Sequence, residues 1–218
     1  MLKIGNQNIK NIKLGNNGIK AVYQGSNLIW KNKTVLTYDF TQGYHENAFN
    51  YQDGEKYRDN LGLHITSPRN GTYRPGVSLK TINLPANITY VKIRIEGKGL
   101  NRNSMNLSLS SLFQDFQYRK GTRVSNDRYG GISFNIIGRS IDYNIGVYPD
   151  SDYISQIIEL VYENGKTRCY YNDENGNMHF AEINTGDATI IPKYINGGIK
   201  TVYRDGITHL KKIQIEYN

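Results

Sequence analysis

Glu159 and Glu163 are the two carboxylates of this 218-residue chain that come nearest to an acid/base pair. Glycoside hydrolysis with retention needs carboxylates about 5–5.5 Å apart, and inversion needs about 6.5–9.5 Å. Four residues along one strand span roughly 13 Å, too far for either mechanism without a carboxylate from a neighbouring strand. The same spacing suits two outward-facing, solvated side chains of one strand. His45, His64, His179 and His209 are scattered, with no spacing that would hold zinc. No Gly-x-Ser-x-Gly elbow and no glycine-rich phosphate loop occurs. Asn172-Asp173-Glu174-Asn175-Gly176-Asn177 clusters oxygen ligands around a turn. Aligning Gly176 with the glycine of a calcium loop would require an acid at Tyr171, so the segment reads as a hairpin tip. Pro149-Asp150-Ser151-Asp152 reads as a proline-initiated turn. The single cysteine, Cys169, lies in a strand pattern and reads as a buried, unreactive thiol. No catalytic residue, metal ligand or cofactor is assigned.

Tyrosine is abundant, at 18 residues, and the rings fall in clusters. Tyr44, Tyr51, Tyr57 and Tyr73 form one group, and Tyr118, Tyr129, Tyr143, Tyr148 and Tyr153 another. Such rings stack on sugars at a carbohydrate-binding face, or pack as cross-strand pairs within a sheet.

The elements that would carry these side chains begin with a repeat. Leu2-Lys3-Ile4-Gly5-Asn6 recurs as Ile12-Lys13-Leu14-Gly15-Asn16 and as Val22-Tyr23-Gln24-Gly25-Ser26, a period of ten. A second apolar residue follows at Ile9, Ile19 and Leu28 or Ile29. Gly and Asn tolerate positive φ, so Gly5, Gly15 and Gly25 mark where the chain reverses. The expectation is a small β-meander of three or four very short strands over 1–33. A unit below roughly 40 residues buries too little apolar surface to fold securely alone. It must therefore extend the main sheet or dock elsewhere, and anchoring or oligomerisation is the preferred reading. Ile12, Leu14, Val22, Tyr23, Leu28 and Trp30 would supply its contacts, with the glycines setting its turns. Trp30, the only tryptophan, would plug the junction with the body or meet a partner subunit.

Charge is divided in the same way. Residues 1–33 carry six lysines and no acid, +6 of the chain's net +8. The remainder carries 21 basic and 19 acidic residues, a net +2. An acidic partner is expected at the N-terminal end. Nucleic acid fits poorly, because the module has no arginine. The lysines also suit solvated edge positions that block unwanted pairing. No run of about 18 apolar residues exists, which excludes a membrane-spanning helix. No apolar signal region opens the chain, so it is expected to stay in the cytoplasm of the cell that makes it.

Residues 34–218 read as one β domain. Tyr90 to Glu96 alternates apolar and polar residues, and Thr34–Phe40, Met105–Leu109, Gly131–Ile137 and Leu210–Tyr217 show related patterns. Asn164-Gly165 joins Ile157–Glu163 to Thr167–Tyr171, and Asn175-Gly176 leads on to Met178–Ile183. Two such turns in succession predict a three-stranded antiparallel meander. One helical turn is conceivable near Ser110–Phe116, and long loops are expected over Gln42–Asn60 and Ile65–Gly76. The fold class is all-β, an antiparallel β-sandwich behind the small module.

Residues 34–218 resemble the concanavalin A-like/laminin-G jelly roll. Thr37-Tyr38-Asp39-Phe40, the hairpin Leu160 to Tyr170 and the closing strand Lys212 to Tyr217 carry that likeness. The Glu-x-Asp-x-x-Glu strand of jelly-roll β-glucanases does not occur. Ile12 to Gly15 and Ile19 to Trp30 resemble a short module of tailed-bacteriophage virion proteins, which often pair it with a jelly roll. These resemblances imply a non-enzymatic virion structural protein, a head or tail fibre or appendage subunit. It would attach to other virion proteins through its N-terminal module and project a lectin-like domain, with a homo-oligomer expected. A carbohydrate-binding adhesin for a host surface glycan is the alternative, and a polysaccharide-degrading enzyme a more distant one.

Overall fold

The period-two patterns become long, half-buried strands in the computed structural model. It describes residues 3–4, 7–8, 12–14, 17–19, 21–24, 27–52, 55–66, 76–98, 103–110, 121–126, 131–137, 142–147, 156–172, 176–184, 191–201 and 207–218. In 1–31 and 103–147 this covers strand backbone, with side chains only at Val22, Leu107 and Leu109. No helix occurs among the described residues.

Six short strands come first: β1 (Lys3–Ile4), β2 (Gln7–Asn8), β3 (Ile12–Leu14), β4 (Asn17–Ile19), β5 (Ala21–Gln24) and β6 (Asn27–Lys31). Then follow β7 (Thr34–Asp39), β8 (Phe49–Gln52), β9 (Glu55–Asp59), β10 (Gly62–Thr66), β11 (Gly76–Leu79) and β12 (Ile82–Asn83). The middle of the chain forms β13 (Tyr90–Lys98), β14 (Asn103–Ser110), β15 (Gly121–Asn126), β16 (Gly131–Ile137) and β17 (Asp142–Val147). The last strands are β18 (Gln156–Glu163), β19 (Lys166–Asn172), β20 (Met178–Asn184), β21 (Tyr194–Thr201) and β22 (Ile207–Tyr217).

Two eight-stranded antiparallel sheets make the body. Sheet 1 runs β20-β19-β18-β13-β22-β10-β9. Its longest strand, β22, lies along β13 on one side. On the other side it pairs β10 through Ile207–Leu210 and β7 through Lys212–Tyr217. Sheet 2 runs β17-β16-β15-β14-β21-β11-β8, with β12 also on β21. The β18–β19 turn has Asn164 at φ 48° and Gly165 at φ 82°, the left-handed pair that the Asn-Gly sequence calls for.

Alternation places the core between the sheets. β13 buries Val91, Ile93 and Ile95, with Lys92 and Arg94 on the opposite face. Ile158 and Leu160 of β18, Ile213 and Ile215 of β22 and Cys169 of β19 join them from sheet 1. Leu107 and Leu109 of β14, Ile195 of β21, and Val77 and Leu79 of β11 meet them from sheet 2. Burial pushes the Cys169 thiol far up, so it is an apolar filler, as its strand position predicts. The all-β antiparallel sandwich is the fold expected from the strand patterns, and the jelly roll is the form that the resemblance implies.

Three expectations change. Among the described residues, the N-terminal strands do not form one meander. They divide into three separate two-stranded sheets, β1–β2, β3–β4 and β5–β6. The span Gln42–Asn60 is not a long loop, because β8 and β9 occupy much of it. Ile65 and Thr66 complete β10. Residues 67–75 lie outside the described residues, as does the helical turn expected near Ser110–Phe116 beyond Ser110, which itself ends β14.

Candidate functional site

The hairpin repeat has a defined register. Ile12 lies opposite Ile19 and Leu14 opposite Asn17. Val22 lies opposite Trp30 and Tyr23 opposite Leu28, with a register shift between Val22 and Tyr23. The closing pairs Ile4↔Gln7, Leu14↔Asn17 and Gln24↔Asn27 each leave two residues between strands: Gly5-Asn6, Gly15-Asn16 and Gly25-Ser26. Those glycines, and every side chain of 1–31 except Val22, lie outside the described residues. Among the described residues, no strand of the module pairs with either large sheet. A lone two-stranded hairpin is marginal in water, and its open edges are free to add to another sheet.

Only Asn32 and Lys33 separate β6 from β7. Lys33 is clamped on the end of sheet 1. Its ammonium sits 3.4 Å from the centre of the Tyr90 ring and 3.9 Å from a Glu216 carboxylate oxygen. Burial lowers the Lys33 pKa, which the Glu216 charge opposes. Glu216 also meets Lys92 at 2.8 Å and accepts the Tyr90 hydroxyl at 3.2 Å. Burial pushes the Glu216 carboxyl up, but Lys92, Lys33 and Tyr90 together hold it below its ordinary value. The same burial and carboxylate raise the Tyr90 phenol. The strap between module and sandwich is thus a cation held by a ring and a shared carboxylate.

The outer face of sheet 1 accounts for the two glutamates. Glu159 pairs with Arg94 at 2.7 Å, while the exposed Glu163 stands 3.7 Å from Arg168. Arg168 itself binds Glu182 at 2.5 Å. Their register places Glu159 and Glu163 on one solvent-facing ladder, each beside an arginine.

Strand pairing assembles one cluster that sequence spacing does not reveal. His64 of β10 lies opposite His209 of β22 and Tyr57 of β9. The imidazole centres are 4.1 Å apart, and Tyr57 stacks on His64 at 4.2 Å. His64 is only 3% exposed, with Nε2 2.7 Å from an Asp59 oxygen. That close contact holds the Asp59 carboxyl below the usual range. The signal for this cluster lies in the β10–β22 register and in no local motif. Among the described residues, no group of three His, Cys, Asp or Glu side chains is arranged to hold a metal ion. His179 stacks on Tyr171 at 5.3 Å, and His45 sits at a corner among Tyr38, Phe40 and Phe49.

No protein-family profile matches the chain, and no curated protein matches it in sequence. Solved structures do match it in shape. Arcelin-5, a lectin-like defence protein from Phaseolus vulgaris, superposes with a TM-score of 0.56 at 12% identity, covering 85% of this chain and 98% of that one. Peanut lectin, solved with a nine-residue peptide, gives a TM-score of 0.57 at 9% identity over 86% of this chain and 98% of its own. The sandwich has the legume-lectin jelly-roll fold. The exoplasmic/lumenal domain of VIP36, in a form bound to Ca2+ and Man3GlcNAc, has it too, with a TM-score of 0.57 at 10% identity over 82% and 87% of the two chains. At these identities the likeness establishes the fold alone.

Proposed function

We propose that this chain is a non-enzymatic structural protein of a tailed-phage virion, a head or tail fibre or appendage subunit. It attaches to other virion proteins through residues 1–33 and projects the lectin-like sandwich outward. The observation that carries this reading is the contrast at Lys33. Behind it stands a complete two-sheet core, and before it three hairpins each paired only within itself among the described residues. Such hairpins need a surface to fold against, and six lysines without an acid direct them to an acidic one. The resemblance of Ile12–Gly15 and Ile19–Trp30 to a phage module supports the virion setting.

Light scattering of the full chain beside a chain beginning at Thr34 tests the reading. An oligomeric full chain and a monomeric shorter one make the hairpins an assembly module. Monomers in both cases reject self-assembly and leave attachment to a different virion protein. Equal oligomers reject the module's role in assembly.

The lectin-like fold favours a second reading, in which the projected sandwich is an adhesin for host surface glycan. VIP36 was solved with a bound oligosaccharide, and the other neighbours are lectins or lectin-like proteins.

A further inference from the structure

Edge strand β9 of sheet 1 and edge strand β8 of sheet 2 come together where Lys56 of β9 lies over the Tyr51 ring of β8. On β9, Lys56 lies opposite Ile65 and Arg58 opposite Leu63, two core residues. Both cations therefore point to the core side of the sheet, where the rim offers them rings. Tyr44 and Tyr51 stand edge to face, with centroids 6.3 Å apart and planes at 84°. The Tyr51 hydroxyl donates to the Tyr44 carbonyl and fixes that corner. The Lys56 ammonium lies 3.9 Å from the Tyr51 centroid and 5.5 Å from that of Tyr44. The Arg58 guanidinium is 5.9 Å from the Tyr44 centroid and donates one N–H to the Thr41 carbonyl.

The cations are positioned but have hydrogen-bonding capacity left over. Among the described side chains, the acid that pairs with Lys56 is Glu46, at 3.9 Å, beyond hydrogen-bond length, and its side chain is 71% exposed. Lys80 joins the same loop by donating to the Glu46 carbonyl at 3.0 Å. Lys56 and Arg58 thus share the Tyr44–Tyr51 corner, with Lys80 on the adjoining loop. A cation on an aromatic face keeps its N–H groups free for an anion, and tyrosine rings beside it suit the C–H face of a sugar.

We propose that the β8–β9 rim binds an acidic saccharide, a sugar carrying a phosphate or a carboxylate, with Lys56 and Arg58 on the anion and Tyr44 and Tyr51 against the ring. This rests on the adhesin reading of the sandwich. A rim that merely closes the sandwich needs its cations for edge protection only, and would discriminate between no ligands.

Calorimetric titration of the full chain with glucose 1-phosphate, glucuronic acid, glucose and inorganic phosphate tests the proposal. At least one acidic sugar should bind tenfold or more tightly than both glucose and phosphate, and the stronger of the two identifies the anion. The double substitution Lys56→Gln, Arg58→Gln should lose that binding by tenfold or more. The charge-matched pair Lys166→Gln, Arg168→Gln, on β19 toward the opposite edge of sheet 1, should leave it within twofold. Equal losses in both double variants, or phosphate binding as tightly as the sugars, overturns the site. If the first pair unfolds the chain, raising NaCl from about 20 to 500 mM on the native protein must weaken the acidic sugar while leaving neutral-glycan binding unchanged. A neutral-oligosaccharide array separates the two readings. Neutral glycan bound equally by native and double-variant chains, without acidic-sugar binding, removes this site and keeps the adhesin. Silence in every arm removes both.

Discussion

The sandwich and the N-terminal hairpins obey the same pairing rules and differ in what lies beside each strand. β13 is hydrogen-bonded on both sides, to β18 and β22, and its inward residues are sealed by sheet 2. β3 has one hydrogen-bonded neighbour among the described residues, β4. A strand gains little from its own hairpin and much from a closed core, so the chain's stability is concentrated after Lys33. On the proposed reading, the hairpins are a part completed by something else.

The largest expected effect comes from the core. Ile93 is fully buried in the central β13. Ile93→Ala should lower the urea-unfolding free energy by about 3 kcal/mol, from lost transfer energy plus the cavity left behind. Ile12→Ala, made in the repeat, should leave that transition unchanged. A matching loss from Ile12→Ala would show that the hairpins belong to the sandwich's cooperative unit, and the comparison would collapse.

A smaller loss is expected where the backbone itself is constrained. Gly62, at φ +122°, opens β10, and a Cβ there would strike the Leu210 carbonyl oxygen of β22. Gly62→Ala should cost roughly 2 kcal/mol through left-handed strain and displacement of β22, read as a lowered melting temperature. An unchanged melting temperature would mean that the β10–β22 contact yields, and that the sandwich is less closed at this end than its core.

How far the sequence reveals these differences depends on which strand is asked. The alternation in Tyr90–Glu96 and the Asn-Gly turn at 164–165 identify central strands and a hairpin directly, because burial on one face forces the pattern. Glu55-Lys56-Tyr57-Arg58-Asp59 hides a strand, because on an edge both faces carry polar residues and the core-side positions go to Lys56 and Arg58. The second arms of the repeat, Gln7–Asn8 and Asn17–Ile19, are too short and polar to show an alternation, so a period of ten suggested one strand per unit where there are two. The His64–His209 contact and the Lys33 clamp depend on which strands become neighbours, and no local spacing encodes that choice. The ladder on which Glu159 and Glu163 lie was legible, since residues four apart in a strand share a face.

The smallest effect expected is at the strap, where the two regions meet. Glu216 is depressed in the folded chain, so it stabilises the fold above its ordinary carboxyl pKa of about 4.3. That contribution disappears as pH falls through the lower folded value. Glu216→Gln should therefore cost about 1 kcal/mol at pH 7, a figure already reduced for solvent screening of Lys33 and Lys92. The variant and the native chain should converge in melting temperature as the pH falls below the ordinary carboxyl range. Adding Lys33→Gln to each background sharpens the result. If Lys33 matters only through Glu216, its loss lowers stability in the native background and little in the Glu216→Gln one. An equal loss in both would assign the strap to the contact between Lys33 and the Tyr90 ring, which carries no titration in this range.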